Sequence, residues 1–194
     1  MESYTLNKRD FAKIRKELEA FDAKRETIIK GSRDALKNSK RAIFSVHRNK
    51  LSEARTLLLS AKKKITELKN LIRTMPGLDA IGAFSCAMQE YVEAMSYYMF
   101  VKSGKLPTRS SLGAAAEDYL MGLCDLTGEL ARRAVMFANK DREEVKRIKD
   151  FVEELYGEFL KFDFRNGDLR KKFDAIKWNL KKIDEVVYAV EISG

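Results

Sequence analysis

Proline, cysteine and histidine are scarce in this chain. Its 194 residues include two prolines, two cysteines and a single histidine. With proline confined to Pro76 and Pro107, the intervening stretches are free of the residue that most strongly blocks helix continuation. No alternating apolar run bounded by hairpin-turn residues occurs, so the expected class is all-α. Cys86 and Cys124 have no CxxC spacing and fall inside apolar segments, which reads as two buried, reduced thiols acting as small hydrophobes. No apolar run reaches the length of a membrane span without charge in its middle, and no signal sequence opens the chain. A cytoplasmic protein that does not engage membranes is the expectation.

What the chain has in quantity is positive charge, unevenly placed. The formal net charge is +9, and residues 1–75 hold 20 Lys and Arg against 9 Asp and Glu, a net of +11, leaving −2 for residues 76–194. A basic arm joined to a near-neutral body suits a polyanion held beside the body. With 45% hydrophobic residues, the chain has enough apolar content for one sizeable core, and residues 1–194 are read as one helical domain of about six to seven helices.

Two segments carry the chemistry. Ala80–Val101 and Tyr119–Ala131 are apolar or small on nearly every side, as a helix buried all round would be. Their only charges are Glu90 and Glu93 in the first, Asp125 and Glu129 in the second. Each pair is spaced i,i+3 or i,i+4, so both carboxylates leave one helix face. Ionised carboxylates in a low-dielectric interior cost several kcal/mol each without compensation. Protonation, basic partners or a divalent metal would each supply it. One reading is therefore a metal-dependent nuclease centre in which facing pairs bind the ions that activate water. The other is a set of structural carboxylates paired with Arg132, Arg133 or a partner subunit. A ferritin-like di-iron bundle would want Glu-x-x-His pairs, and His47 lies in neither acidic segment.

In chain order, Phe11, Ile14, Leu18, Phe21, Arg25, Ile28, Ser32, Ala35, Ser39, Ala42 and Val46 keep a strict 3,4 spacing, which predicts one helix of up to about 60 Å or one with a bend near Gly31. Arg33, Lys37, Arg41, Phe44 and Arg48 share a face of it, with Lys40 and His47 adjoining. Basic side chains interleaved with an aromatic suit phosphate tracking and base stacking, and equally an ordinary solvated face. A second amphipathic helix runs from Leu51 to Ile72 and is ended by Met75-Pro76-Gly77. Ser103–Gly113 is a loop whose Gly-Lys pair lacks the upstream glycine of a phosphate-cradling loop. Gly122 and Gly128 interrupt the second acidic segment at places where helices could approach closely. A helix beginning near Asp141 extends to about Leu160. Asp168 is a plausible N-cap for the last, where Leu169, Phe173, Ile176, Leu180, Ile183, Val187 and Val190 form a 4,3 seam facing this chain or another.

Taken together, Ser32-Arg33-Asp34, Ser39-Lys40-Arg41-Ala42-Ile43-Phe44 with His47-Arg48, Gln89-Glu90-Tyr91-Val92-Glu93-Ala94, Asp118-Tyr119-Leu120 with Asp125-Leu126-Thr127-Gly128-Glu129-Leu130, and Leu169-Arg170-Lys171-Lys172-Phe173-Asp174 with Val186-Val187-Tyr188 resemble the translin superfamily over nearly the whole chain. The QEYVEA and DLTGEL pieces resemble its Trax branch, and a compact prokaryotic, archaeal member would read this way. The resemblance implies a translin-like helical bundle and a magnesium-dependent endoribonuclease, with manganese as an alternative ion. On that basis Glu90, Glu93 and Asp125 would be the principal catalytic and metal-binding carboxylates, and Glu129 a fourth ligand or helper. Arg132, Lys40 and Arg41 would contact RNA, joining Arg33, Lys37 and Arg48 of the basic face. The implied partners are single-stranded or flexible RNA, with single-stranded DNA as an alternative, and further copies of the chain in a homo-oligomeric, octamer-like shell. Two departures stand out: the basic N-terminal extension of eukaryotic Trax has no counterpart, and the loop around Pro107 is shorter. The runner-up is a non-catalytic, translin-like nucleic-acid-binding shell.

Overall fold

The computed structural model describes residues 6–192. These hold seven α-helices and one short 3₁₀ turn, and no strand occurs among the described residues. The helices are α1 Lys8–His47, α2 Leu51–Ile72, α3 Gly82–Ser103, the four-residue α4 Arg109–Leu112, α5 Ala116–Phe137, α6 Arg142–Phe159 and α7 Asp168–Ile192. The all-α expectation and the helix count hold.

α1 is continuous for 40 residues, opened by Asn7, whose side chain accepts the Asp10 N–H at 3.2 Å. It runs through Gly31 without a break. A Cβ there would stand 2.8 Å from Leu68 Cδ2, so the glycine is a seat for α2. Only residues Arg48–Lys50 join the two helices, which forces α2 back along α1, and the pairs Asn38–Ser60 and Lys24–Thr74 mark that antiparallel course. Of the polar interruptions in the α1 seam, Ser32 and Ser39 are buried, and Ser39 Oγ donates to the Ala35 carbonyl at 3.0 Å. The Phe11–Leu18 stretch of the seam projects past the end of α2 and stays open, with Phe11 54% and Leu18 60% exposed.

α3 packs on α1 and α5, and α5 on α7. Tyr91, Val92 and Tyr97 of α3 and Leu126 and Leu130 of α5 are fully buried in the main core. The two acidic helices are not buried all round, however. The first turn of α3 reaches the surface, so Cys86 is exposed and only Cys124 is a buried thiol, which corrects the expectation for Cys86. Gly122 lets the pair close: a Cβ on it would lie 2.7 Å from both the Gln89 carbonyl and Val92 Cβ. Gly128 meets nothing nearer than Asn179 Nδ2 at 3.8 Å and is not needed for the approach.

α6 is capped by Asp141, whose side chain accepts the Glu144 N–H at 3.0 Å. Asp168 is the first residue of α7 rather than its cap, a one-residue difference of the kind helix ends show. The seam of α7 faces its own chain: Phe173, Ile176, Ile183 and Val190 are buried, and α7 lies against α5 and α6. No described helix is long and apolar enough to cross a membrane.

Candidate active site

Four helices converge on one cleft of about 590 Å³. α3 contributes Glu90 and Glu93 from one face, one turn apart. α5 contributes Asp125, Gly128, Glu129 and Arg132, again one face at i, i+3, i+4 and i+7. α1 supplies Lys40, Ile43 and Phe44, and α7 supplies Lys172, Ala175 and Asn179 at spacings of three and four. The neighbouring face of α7, with Phe173 and Ile176, is buried, which fixes how the helix is rotated.

All four expected carboxylates thus line a single cleft, with unequal burial. Glu93 is 8% exposed, whereas the Asp125 side chain is 34% exposed. Asp125 stands at the open side of the cleft and Glu93 at its more buried side. Glu93 has no hydrogen bond or ion pair with any described residue, and burial, reinforced by the charges of Glu90, Asp125 and Glu129, pushes its carboxyl up to about 9. Burial also raises Glu90, with Lys40 opposing the shift and Asp125 and Glu129 adding to it. Like charges converging in a low-dielectric pocket shift pKa values in this direction.

The other carboxylates have partners. Lys172 Nζ donates to Asp125 Oδ2, and Lys40 lies 3.8 Å from Glu90. Glu129 is approached by Arg132 at 3.8 Å and by His47, whose Nε2–H donates to Oε2. The other His47 nitrogen pairs with the Tyr97 hydroxyl at 2.9 Å, and both rings are buried. His47 is therefore a satisfied residue behind the cleft. The basic-partner reading holds for Arg132 and fails for Arg133, which is engaged in a buried pair with Glu144 at 2.6 Å and ties α5 to α6.

The basic face of α1 divides. Lys40 and Phe44 line the cleft, Phe44 being 54% exposed, and Arg48 lies over the Phe44 ring at 5.4 Å. Lys37 and Arg41 are exposed on the same helix outside the cleft lining, and Arg33 lines a separate groove with Phe21, Arg25 and Ile81. Lys172 and Asn179 escaped the sequence reading. A lysine every few positions along α7 gives no clue to which one faces acid until the buried Phe173–Ile176 face has set the rotation.

Four oxygen-only donors in excess of their cationic partners suit a hard divalent ion such as magnesium. Glu93, buried and unpartnered, is the observation that fits the donor set to such an ion. The side chains are not already drawn together: among the described residues no three Asp, Glu, His or Cys groups gather as a metal-holding cluster, and lysines occupy Asp125 and Glu90.

The cleft lies where α3 and α5 meet in an all-helical fold, and the fold and the family are shared with known proteins. Residues 23–194 match the model of the Translin family, and the chain belongs to that family. It is 35% identical over 167 residues to an uncharacterised protein of Methanocaldococcus jannaschii, covering 83% of this chain and 73% of that one. It is 30% identical over 204 residues to the translin-associated protein X homolog of Schizosaccharomyces pombe, covering 93% and 86%. Among solved structures it is similar to apo-NeC3PO, with a TM-score of 0.87 and 25% identity over 97% of this chain and all of that one. It is equally similar to AfC3PO in its complex with duplex RNA, at TM-score 0.87 and 26% identity over 95% of this chain and 97% of that chain.

Proposed function

We propose that this protein is a metal-dependent endoribonuclease that cuts single-stranded or flexible RNA within an oligomeric assembly. The observation that carries the reading is Glu93: a buried, unpartnered carboxyl facing three other acids in a cleft whose mouth carries Lys40, Phe44 and Arg132. Structural carboxylates are normally paired, and one kept protonated by burial, with neighbouring acids adding to it, is a costly arrangement that a divalent cation would relieve. RNA as the substrate draws support from the basic face of α1 and from the similar AfC3PO, which has been seen with duplex RNA.

Glu90, Glu93 and Asp125, with Glu129 as helper, would hold magnesium or manganese. When bound, such an ion lowers the pKa of water and neutralises the charge that builds on a phosphate under attack. The chain's own residues supply the rest. His47 fixes Glu129 from behind, Arg132 and Lys40 present cations to the phosphate backbone, and Phe44 offers a face on which a base can stack. Arg33, Lys37, Arg41 and Arg48 extend the phosphate track along α1. The exposed stripe of Phe11 and Leu18 supports assembly with further copies in an octamer-like shell, and light scattering that returned a monomer or a simple dimer would remove the shell.

The deciding experiment is cleavage of a labelled single-stranded RNA, alongside a duplex, with magnesium, with EDTA, and with Glu93→Gln. Cutting that needs magnesium and is lost in the variant supports the nuclease. RNA that stays intact but binds equally in all three conditions favours the second reading, a non-catalytic translin-like binder of RNA or single-stranded DNA. That reading takes its support from the ion pairs at Asp125, Glu90 and Glu129, which already compensate three of the four acids.

A further inference from the structure

The cleft holds its own cation, and the strength of its attachment is uneven. Lys172 reaches from α7 to Asp125 of α5 in direct contact, its side chain 32% exposed, whereas Lys40 is 62% exposed and 3.8 Å from Glu90. Lys40 resembles an ordinary surface pair of little energetic weight. Lys172 is half-buried, and Ala175 and Asn179 flank it on the same α7 face, with Asn179 Nδ2 anchored to Thr127 Oγ1 at 2.8 Å. Asp125 is also the most solvent-exposed of the four acids, and so the natural point of entry for an ion from solution.

Building on the nuclease reading, we propose that Lys172 is an exchangeable counter-ion. It occupies Asp125 when the cleft is empty, competes there with the divalent cation, and on displacement turns its ammonium to a phosphate of the bound nucleic acid. Two features make the exchange physically reasonable. A lysine is a compact charge on a flexible four-carbon stem, able to move several ångströms without moving α7. Its anchor is the helix backbone held by Phe173 and Ile176, both buried, so the ammonium stays in the cleft after leaving Asp125. The consequence is coupling. Ion and nucleic acid each favour the state in which Lys172 has left Asp125, so each tightens binding of the other by the same factor. The lysine thereby weakens metal binding in the absence of a substrate and strengthens substrate binding in its presence.

The test uses the full chain and two readouts besides cleavage: calorimetric titration of magnesium into the protein alone, and the salt dependence of binding to a nuclease-resistant 2′-O-methyl oligonucleotide at saturating magnesium. Lys172→Met should bind magnesium about fivefold or more tightly, the low end of usual coupling factors. It should bind the oligonucleotide correspondingly more weakly, with a salt slope shallower by about 0.7, the share of one single-strand phosphate contact. Lys172→Gln should behave likewise, and Lys172→Arg should restore the wild-type slope. Magnesium affinity that is unchanged or weaker in both neutral variants would overturn the exchange and leave a structural ion pair. Wild-type protein that binds no magnesium would overturn the nuclease reading and this one with it, whereas magnesium-dependent cutting with uncoupled variants would overturn this one alone.

Discussion

Gly122 of α5 lies so close to Val92 of α3 that a methyl on it would stand 2.7 Å from the Val92 Cβ and equally close to the Gln89 carbonyl oxygen. The second neighbour is backbone and cannot rotate away. The contact is what brings Glu90 and Glu93 within reach of Asp125 and Glu129. Gly122→Ala should therefore cost about 1–3 kcal/mol, the usual range for overpacking. At about 2–4 °C per kcal/mol for a chain of this size, the melting midpoint followed by circular dichroism should fall by several degrees. Gly128→Ala, on the same helix with ordinary contact distances, should be neutral or stabilising, since alanine is the better helix former.

The sequence makes some of this visible and hides the rest for a reason. Helix-period spacing marks α1, α2 and α7, the apolar runs mark α3 and α5, and the scarcity of charge within those runs marks the four carboxylates. What periodicity cannot supply is rotation and pairing between helices distant in sequence. Lys172 is one of many α7 lysines until Phe173 and Ile176 turn toward the core, and His47 meets Glu129 across 82 positions. Cys86 misleads for a related reason. It sits in an apolar run, but the run begins before α3 has entered the core.

His47 touches Glu129 with one ring nitrogen and Tyr97 with the other. Replacing it with alanine takes one partner from the Tyr97 hydroxyl, which keeps Arg133, and one from Glu129, which keeps Arg132, so the cost should be that of two lost hydrogen bonds, each about 0.5–1.5 kcal/mol. Urea unfolding of His47→Ala should show that loss as a lower midpoint. Tyr97→Phe removes the hydroxyl itself and should cost less, because His47 keeps its bond to Glu129. Equal losses in the two variants would argue that the ring packing of His47 on Tyr97, with centroids 4.8 Å apart, matters more than the hydrogen bonds.

Glu93 gives the pH dependence an unusual sign. Its carboxyl is raised to about 9 in the folded chain, first by burial and then by the three neighbouring acids. Between its ordinary carboxylate range and about 9, the folded state keeps a proton that the unfolded chain has released, so unfolding releases a proton and rising pH favours it. Metal-free protein should lose stability steadily as pH rises through this window, and Glu93→Gln should flatten the slope. Magnesium should act in the opposite sense. Ligation requires the deprotonated carboxylate, so the rise in melting midpoint on adding magnesium should grow with pH up to about 9. Melting curves from pH 5 to 9 in EDTA and in magnesium test both halves, and parallel curves would remove Glu93 from the metal site.

Phe44 separates stacking from charge. It is exposed at the mouth of the cleft, one helical turn from Lys40, with Arg48 laid over its ring. A base stacked there contributes about 1–3 kcal/mol with little dependence on salt, whereas a phosphate contact from Lys40 contributes through released counter-ions. Fluorescence anisotropy with a single-stranded RNA across a salt series should then show two different signatures. Phe44→Ala should weaken binding by about fivefold to a hundredfold at every salt concentration and leave the slope unchanged. Lys40→Ala should weaken it most at low salt and reduce the slope by about 0.7. If Phe44→Ala changes only the slope, the ring serves to hold Arg48 against the backbone rather than to receive a base, and Arg48→Ala should then reproduce its effect.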